Sequence, residues 1–233
     1  MKKVYIIGTS YNDHLLYVDM YPEEGTNNII NNYEKRLGGI HNIRRVIVSE
    51  CIPLRTFDAN IIVNKNGSRT SIVREIEKEI EFNIDKLNEN EWVHIMYLDC
   101  LDKINEKTLK RIKDKNCTVS VDFCLSKHTN NFKQKIKKMQ KYIDYIIISN
   151  IESNSLPNLN ANKEVIIHSP EHVFLKNKNT YIYNMYYKHD IKNSLGMGDY
   201  FSGLIIENII NGNDIIPSVY NVQHRLSKIV ENN

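Results

Sequence analysis

The feature that most limits how this chain can fold is a rhythm in its second half. From about residue 75 onward, short apolar runs alternate with amphipathic segments. Runs at residues 92–98, Thr118–Val121 and Tyr145–Ser149 each close on a polar side chain, Asp99, Asp122 and Asn150. Helical periodicity marks residues 105–115 and 131–142 between them, and residues 165–168 read as one more strand. Continuous apolar strands separated by helices indicate a mostly parallel sheet covered on both faces, a doubly wound α/β fold. In such sheets ligands bind beyond the carboxyl ends of the strands, which is where these polar residues gather.

The first third reads differently. Residues 4–7 form a short buried strand ended by Gly8, and residues 15–18 and 29–33 are further strands around a turn-rich stretch at 21–26. Residues 57–64 and 70–74 flank Asn66-Gly67, the pattern of a β-hairpin. After Leu37-Gly38-Gly39, apolar residues Ile43, Val46 and Ile47 mark a short helix. The charged residues 75–90 read as partly helical, 154–163 as a loose loop and 181–187 as an edge strand. A chain of 233 residues is long enough for one large core, so a single domain over residues 1–233 is expected.

Bulk properties exclude several partner classes. A net charge of +3, with no dense basic patch interleaved with aromatics, argues against nucleic acid. The Lys-rich stretch at 133–141 has the spacing of a solvated helix face. No apolar stretch is long enough to span a bilayer, and residues 4–7 are too short for a signal core. Cys51, Cys100, Cys117 and Cys124 show neither C-x-x-C nor zinc spacing, which points to reduced thiols and a cytoplasmic location. The eight histidines make no H-x-x-x-H pattern, so no His/Cys metal cluster is expected.

The chemistry concentrates in Gly196-Met197-Gly198-Asp199, which opens a helix-periodic apolar run at 200–210. Two glycines let successive backbone N–H groups converge, and the helix dipole favours an anion there. Asp199 lies in the first turn, within reach of whatever binds. That is an arrangement for moving a phosphoryl group onto a hydroxyl, although an acid in a first turn also stabilises a helix end by itself. A nicotinamide-dependent enzyme is disfavoured, because the stretch from Gly8 to Asp13 lacks G-x-G-x-x-G.

Four features together resemble the ribokinase-like, or PfkB, family of carbohydrate kinases, in the family's order across nearly the whole chain. They are the opening strand with Gly8 and Asp13 followed by the Pro22–Gly25 turn; Leu37-Gly38-Gly39-Ile40-His41-Asn42; the strand ending in Asn150; and Gly196-Met197-Gly198-Asp199, similar to a G-A-G-D signature. The resemblance implies a doubly wound domain with a small β-sheet lid drawn from about residues 14–36 and 55–74. It implies transfer of the ATP γ-phosphoryl group to a sugar-like small molecule. Asp199 would be the general base, and the N–H groups of Gly196, Met197 and Gly198 would stabilise the transferring phosphate. Asp13, Gly38, Gly39, His41 and Asn42 would contact the acceptor, Asn150 and Ser194 the nucleotide, and Glu152 Mg²⁺. Exposed lid strands would favour a homodimer.

The sequence departs from the family pattern on the nucleotide side. The acid after Asn150 falls one residue early, at Glu152, and residues 165–172 contain no glycine. Asn193 and Ser194 stand where the family carries an acid and a threonine, and only residues 200–233 follow Asp199. The alternative reading is therefore a catalytically impaired, ligand-binding or regulatory pseudo-kinase of the same fold.

Overall fold

A computed structural model of the chain describes residues 2–124, 132–156, 158–186 and 196–231. Its strands are β1 (Val4–Val18), β2 (Asn32–Gly39), β3 (Glu50–Asn64), β4 (Arg69–Glu77), β5 (Trp92–Met96), β6 (Thr118–Val121), β7 (Tyr145–Ser149), β8 (Glu164–His168), β9 (His172–Leu175) and β10 (Thr180–Tyr183). The helices are α1 (Ile40–Arg44), α2 (Glu106–Asp114), α3 (Phe132–Met139), α4 (Asn150–Ser155), α5 (Met197–Ile210) and α6 (Ile215–Glu231).

Six strands run parallel in the order β8-β7-β6-β5-β1-β3. Antiparallel β9 and β10 extend one side, β4 extends the other, and β2 pairs with the outer part of β1. Alternation along β1 divides the core. Tyr5 and Ile7 pack with Leu109 and Ile112 of α2 and Ile136 of α3, while Val4 and Ile6 pack with Ile40, Ile43, Leu204, Ile205 and Val222 on the other face. Both faces of the parallel sheet are thus covered by helices, the doubly wound arrangement with a small antiparallel part. The chain steps from β1 to β3 on one side and returns to β5 on the other, so β1 and β5 flank the switch point.

Local chemistry explains the better-defined boundaries. Asn105 caps α2 by accepting hydrogen bonds from the N–H groups of Lys107 and Thr108, and Leu109 and Ile112 then fall on the buried stripe. The turn between β3 and β4 is held by Asn64, whose Oδ1 accepts from the N–H groups of Asn66 and Ser68.

Several expectations need correction. The first strand does not end at Gly8; it continues to Val18, with a register shift against β3 between Gly8 and Thr9. Gly8, at φ 154°, lies so close to the neighbouring strand that a Cβ there would stand 2.3 Å from the Met96 carbonyl oxygen. A glycine that reads as punctuation is in fact a point of close backbone contact. The strand placed at 29–33 begins at Asn32 and carries the double glycine at its end. The helix after it covers Ile40–Arg44, so Val46 and Ile47 lie beyond it. Residues 75–77 finish β4, and the rest of the stretch to residue 90 is irregular apart from a 3₁₀ turn at Ile84–Lys86, because Phe82, Ile84 and Leu87 anchor it to the core. Asn150 opens α4 rather than ending a strand, and residues 154–163 are pinned by buried Leu156 and Leu159.

Gly8→Ala should cost about 3 kcal/mol or more, since the clash is with backbone and cannot be relieved by a rotamer change. Urea unfolding monitored by Trp92 fluorescence would measure it; a loss below about 1 kcal/mol would contradict the close-contact account.

Candidate active site

Asp199 sits in the first turn of α5, only 7% exposed, with both carboxylate oxygens held by protein donors. Asn42 Nδ2 donates to Oδ2 at 2.7 Å, and the Tyr97 hydroxyl donates to Oδ1 at 2.8 Å. Burial and then the nearby Asp122 charge push the Asp199 carboxyl up to about 7, against the two hydrogen bonds that hold it down. Gly196 precedes it at φ 82°, a left-handed conformation, and a Cβ there would stand 2.8 Å from Asn42 Nδ2. Glycine at this position therefore lets the helix start approach the amide that holds the acid.

A second layer fixes Tyr97. Its backbone is left-handed at φ 57°, a conformation that costs a bulky residue about 1–3 kcal/mol. Its N–H donates to Asp122 Oδ1 at 2.6 Å, and Asp122 Oδ2 lies 3.4 Å from His94 Nε2. The Trp92 indole donates to Ser120 Oγ at 2.7 Å, which leaves the Ser120 hydroxyl hydrogen for His94 Nδ1 at 3.0 Å. That assignment puts the imidazole proton on Nε2, facing Asp122. A chain of buried polar groups thus runs from Trp92 on β5 to the Asp199 carboxylate.

The strand β1 and the turn into α1 supply the other wall. Asp13 is buried, and burial pushes its carboxyl up despite the positive charge of Arg36. Gly38 packs directly against it: a Cβ there would stand 2.2 Å from Asp13 Oδ2. Gly39, at φ 62°, turns the chain into α1 within 2.4 Å (for a Cβ) of the Thr9 carbonyl. His41 Nε2 lies 3.0 Å from Ser10 Oγ, and burial lowers its proton affinity. Asn42 is fully engaged, since its Oδ1 accepts from Arg45 Nη1 at 3.3 Å while its amide holds Asp199.

The opposite side of α5 holds fewer of the expected residues together. Ser194 lies outside the described residues. Asn150 is exposed at the start of α4. Glu152 is folded into a capping box, accepting from the Ser149 N–H at 2.7 Å. Burial pushes its carboxyl up to about 7 against those Ser149 bonds, with Asp122 and Asp99 adding to the rise. His168, at the end of β8, packs on Phe201 with ring centroids 4.7 Å apart, and burial lowers it to about 4. Its ring lies beside Gly198, 3.4 Å from where a Cβ would be. Among the described residues, no three His, Cys, Asp or Glu side chains converge into a metal cage.

The sequence matches no family profile, and no curated protein matches it by sequence. Solved structures do match. Ribokinase from Thermotoga maritima is similar at 16% identity and a TM-score of 0.70, covering 97% of this chain and 92% of that one. The fold is that of the ribokinases. A nucleoside kinase from Burkholderia thailandensis, in complex with inosine, matches at 10% identity and 0.73, over 96% and 90% of the two chains. Arabidopsis thaliana ribokinase, complexed with ribose and ATP, matches at 12% and 0.67, over 99% and 93%. This ribokinase-like fold is shared by sugar and nucleoside kinases. No helix among the described residues is long and apolar enough to cross a membrane.

The structure brings Asp199 together with Asn42 and Gly196 of the sequence motifs and with Asp122 of the strand-end acids, and it adds Tyr97 and His94, which no motif marks. The residues 92–98 looked like ordinary strand, and nothing in the sequence signals that Tyr97 adopts a left-handed backbone. Arg36 and Arg69 carry no such signal either, since each sits in a strand whose residues are mostly exposed.

The raised Asp199 carboxyl has a stability consequence with a definite sign. The folded protein holds the Asp199 proton more tightly than the unfolded chain, so this contribution is fully present below about pH 4 and is lost as pH rises to about 7. Its full size is about 4 kcal/mol. Relative to Asp199→Asn, which lacks the titration, the unaltered protein should lose stability between pH 5 and pH 8. Urea melts of both proteins at the two pH values test this; a constant difference would contradict it.

Proposed function

We propose that this protein transfers the γ-phosphoryl group of ATP to a hydroxyl of a sugar or sugar-like small molecule. The observation that carries the reading is the Asp199 carboxyl, buried in the first turn of a glycine-opened helix, where burial pushes it up to about 7. A general base works best when its pKa lies close to the working pH. The ribose, ATP and inosine in the neighbours' sites make a small polyhydroxylated acceptor and a nucleotide donor the natural candidates.

In this reading Asp199 takes the acceptor hydroxyl's proton as that oxygen forms its bond to phosphorus and the bridging P–O bond to ADP breaks. Asn42 and Tyr97 hold the carboxylate in place, one on each oxygen, and each oxygen keeps a further lone pair that can accept the proton. The N–H groups of Gly196, Met197 and Gly198 stabilise charge on the transferring group through fixed dipoles. Asp13 accepts hydrogen bonds from acceptor hydroxyls, Gly38 and Gly39 bring backbone close to it, and His41 lines the same wall. Asn150, at the start of α4, is the described residue that would meet the nucleotide. Glu152 would have to leave its helix cap to meet a Mg²⁺ bound with the nucleotide, an ion that would neutralise phosphate charge. Strands within 14–36 and 55–74 form a lid that excludes water from the acceptor.

The alternative, a ligand-binding pseudo-kinase, is favoured by one observation: both Asp199 oxygens already accept a hydrogen bond from the protein. ATP consumption across neutral sugars, sugar phosphates, sugar acids and nucleosides separates the two. Asp199→Asn should lower turnover by about 10²–10⁴-fold. No turnover with any acceptor, together with a thermal shift on sugar but none on Mg·ATP, selects the pseudo-kinase.

The pH profile is a finer check. The acid limb of kcat/KM should have its midpoint near 7. Tyr97→Phe removes a hydrogen bond that favours the ionised acid, so the limb should move to higher pH. An unmoved limb would remove Tyr97 from the mechanism.

The lid also offers a surface for a second copy of the chain. Every residue of β4 is exposed, including Ile72, Val73 and Ile76, and Tyr33 and Leu37 are exposed on β2. Light scattering should give a dimer, and Ile72→Glu should shift it toward monomer.

A further inference from the structure

Two arginines of the antiparallel strands have no adequate partner. Arg36 on β2 stands opposite Asp13 on β1, and its side chain is 14% exposed. Its Nε and Nη2 are shut off from solvent, yet neither makes a hydrogen bond. The nearest carboxylate oxygen, Asp13 Oδ2, is 4.0 Å from Nε, beyond hydrogen-bond range. Arg69, the first residue of β4, makes no side-chain hydrogen bond or ion pair among the described residues. It starts the strand beside β3, which pairs with β1, and its guanidinium is within electrostatic reach of Arg36, Asp199, Tyr97 and Asp13.

The plain reading is that Asp13 and Asp199 neutralise these two charges. The geometry argues against it. Asp199 spends a bond from each oxygen on Asn42 and Tyr97, and Asp13 meets Arg36 only as a loose ion pair at 4.0 Å, too long for a hydrogen bond. Burial raises both acids toward neutrality, while burial and then Arg36 depress the Arg69 guanidinium. The buried Arg36 donors left unpaired are costly, and a compact oxyanion is the group whose geometry matches a guanidinium fork.

We propose that Arg36 and Arg69 form a subsite for an oxyanion carried by the acceptor, so that the acceptor is an anionic sugar derivative rather than a neutral sugar. The proposal rests on the kinase reading for the word acceptor, but the subsite itself does not. A phosphate ester and a carboxylate present the same chemistry to the two arginines, and the choice of compounds separates them. Arg45 stays outside the subsite, because it is engaged with Asn42 and the Tyr200 hydroxyl.

Two measurements test this. Inorganic phosphate at millimolar concentration should raise the melting temperature of the unaltered protein and of Asp199→Asn, and the shift should disappear in Arg69→Gln and Arg36→Gln. Arg69 is exposed at the start of its strand, so Arg69→Gln decides the matter should Arg36→Gln fail to fold. ATP consumption is then compared for a neutral sugar, its phosphate ester and its aldonic acid. Arg69→Gln should lower kcat/KM for the favoured anion by about 10–100-fold and leave the neutral sugar nearly unchanged. No phosphate shift, a shift that survives in Arg69→Gln, or a preference for the neutral sugar overturns the proposal. A phosphate shift lost in Arg69→Gln but without ATP consumption on any acceptor upholds the subsite and overturns the kinase reading.

Discussion

The close approach of Gly8 to the Met96 carbonyl lets one strand serve both parts of the sheet. β1 lies between β5 and β3 in the parallel core and continues outward to pair with β2 and the far half of β3. A side chain at position 8 would force β1 and β5 apart at the switch point, where the candidate site begins. Asp13 stands on the outer half of that strand, and Tyr97 follows the last residue of β5. The two walls of the cleft are therefore set by a backbone contact that no side chain makes.

Within the cleft the decisive contest is between burial and hydrogen bonding. Asp199 has two good donors, either of which favours its charged form, yet desolvation and the Asp122 charge outweigh them. Asp122 is itself held by the Tyr97 N–H and faces His94. The same residue thus fixes the tyrosine that stabilises the carboxylate and supplies the charge that opposes its ionisation. A carboxyl tuned by opposing contributions responds to modest changes in its surroundings, a property that the proposed general-base role would use.

Much of the architecture was legible because it follows from periodicity. Thr118–Val121 and Tyr145–Ser149 are found where the apolar runs place them, and Asn105 caps α2 as its position before the periodic segment implies. Misreadings came where tertiary contact overrides local pattern. Residues 75–90 carry helix-forming charges, but Phe82, Ile84 and Leu87 bury in the core and keep the segment irregular. Gly8 looked like a strand end because sequence shows that a residue lacks a Cβ, not what occupies the space. At the site, Asp199 and its glycines were visible as a local motif. The Tyr97 contact spans 102 positions and depends on a left-handed backbone that no residue type announces.

The continuity of β1 and β3 has a mechanical side. Each is a strand of 15 residues that belongs to the parallel core at one end and to the antiparallel part at the other. Two domains joined by loops can swing on hinges; here the junction is made of hydrogen-bonded sheet. The register shifts at Gly8/Thr9 and Thr56/Phe57 are the compliant points of that beam, since the ladder is already interrupted there. Any displacement of the outer strands has to bend or twist the sheet about those points. The outer strands then behave as a stiff spring, with Asp13 and Arg36 at its root, rather than as a freely hung door.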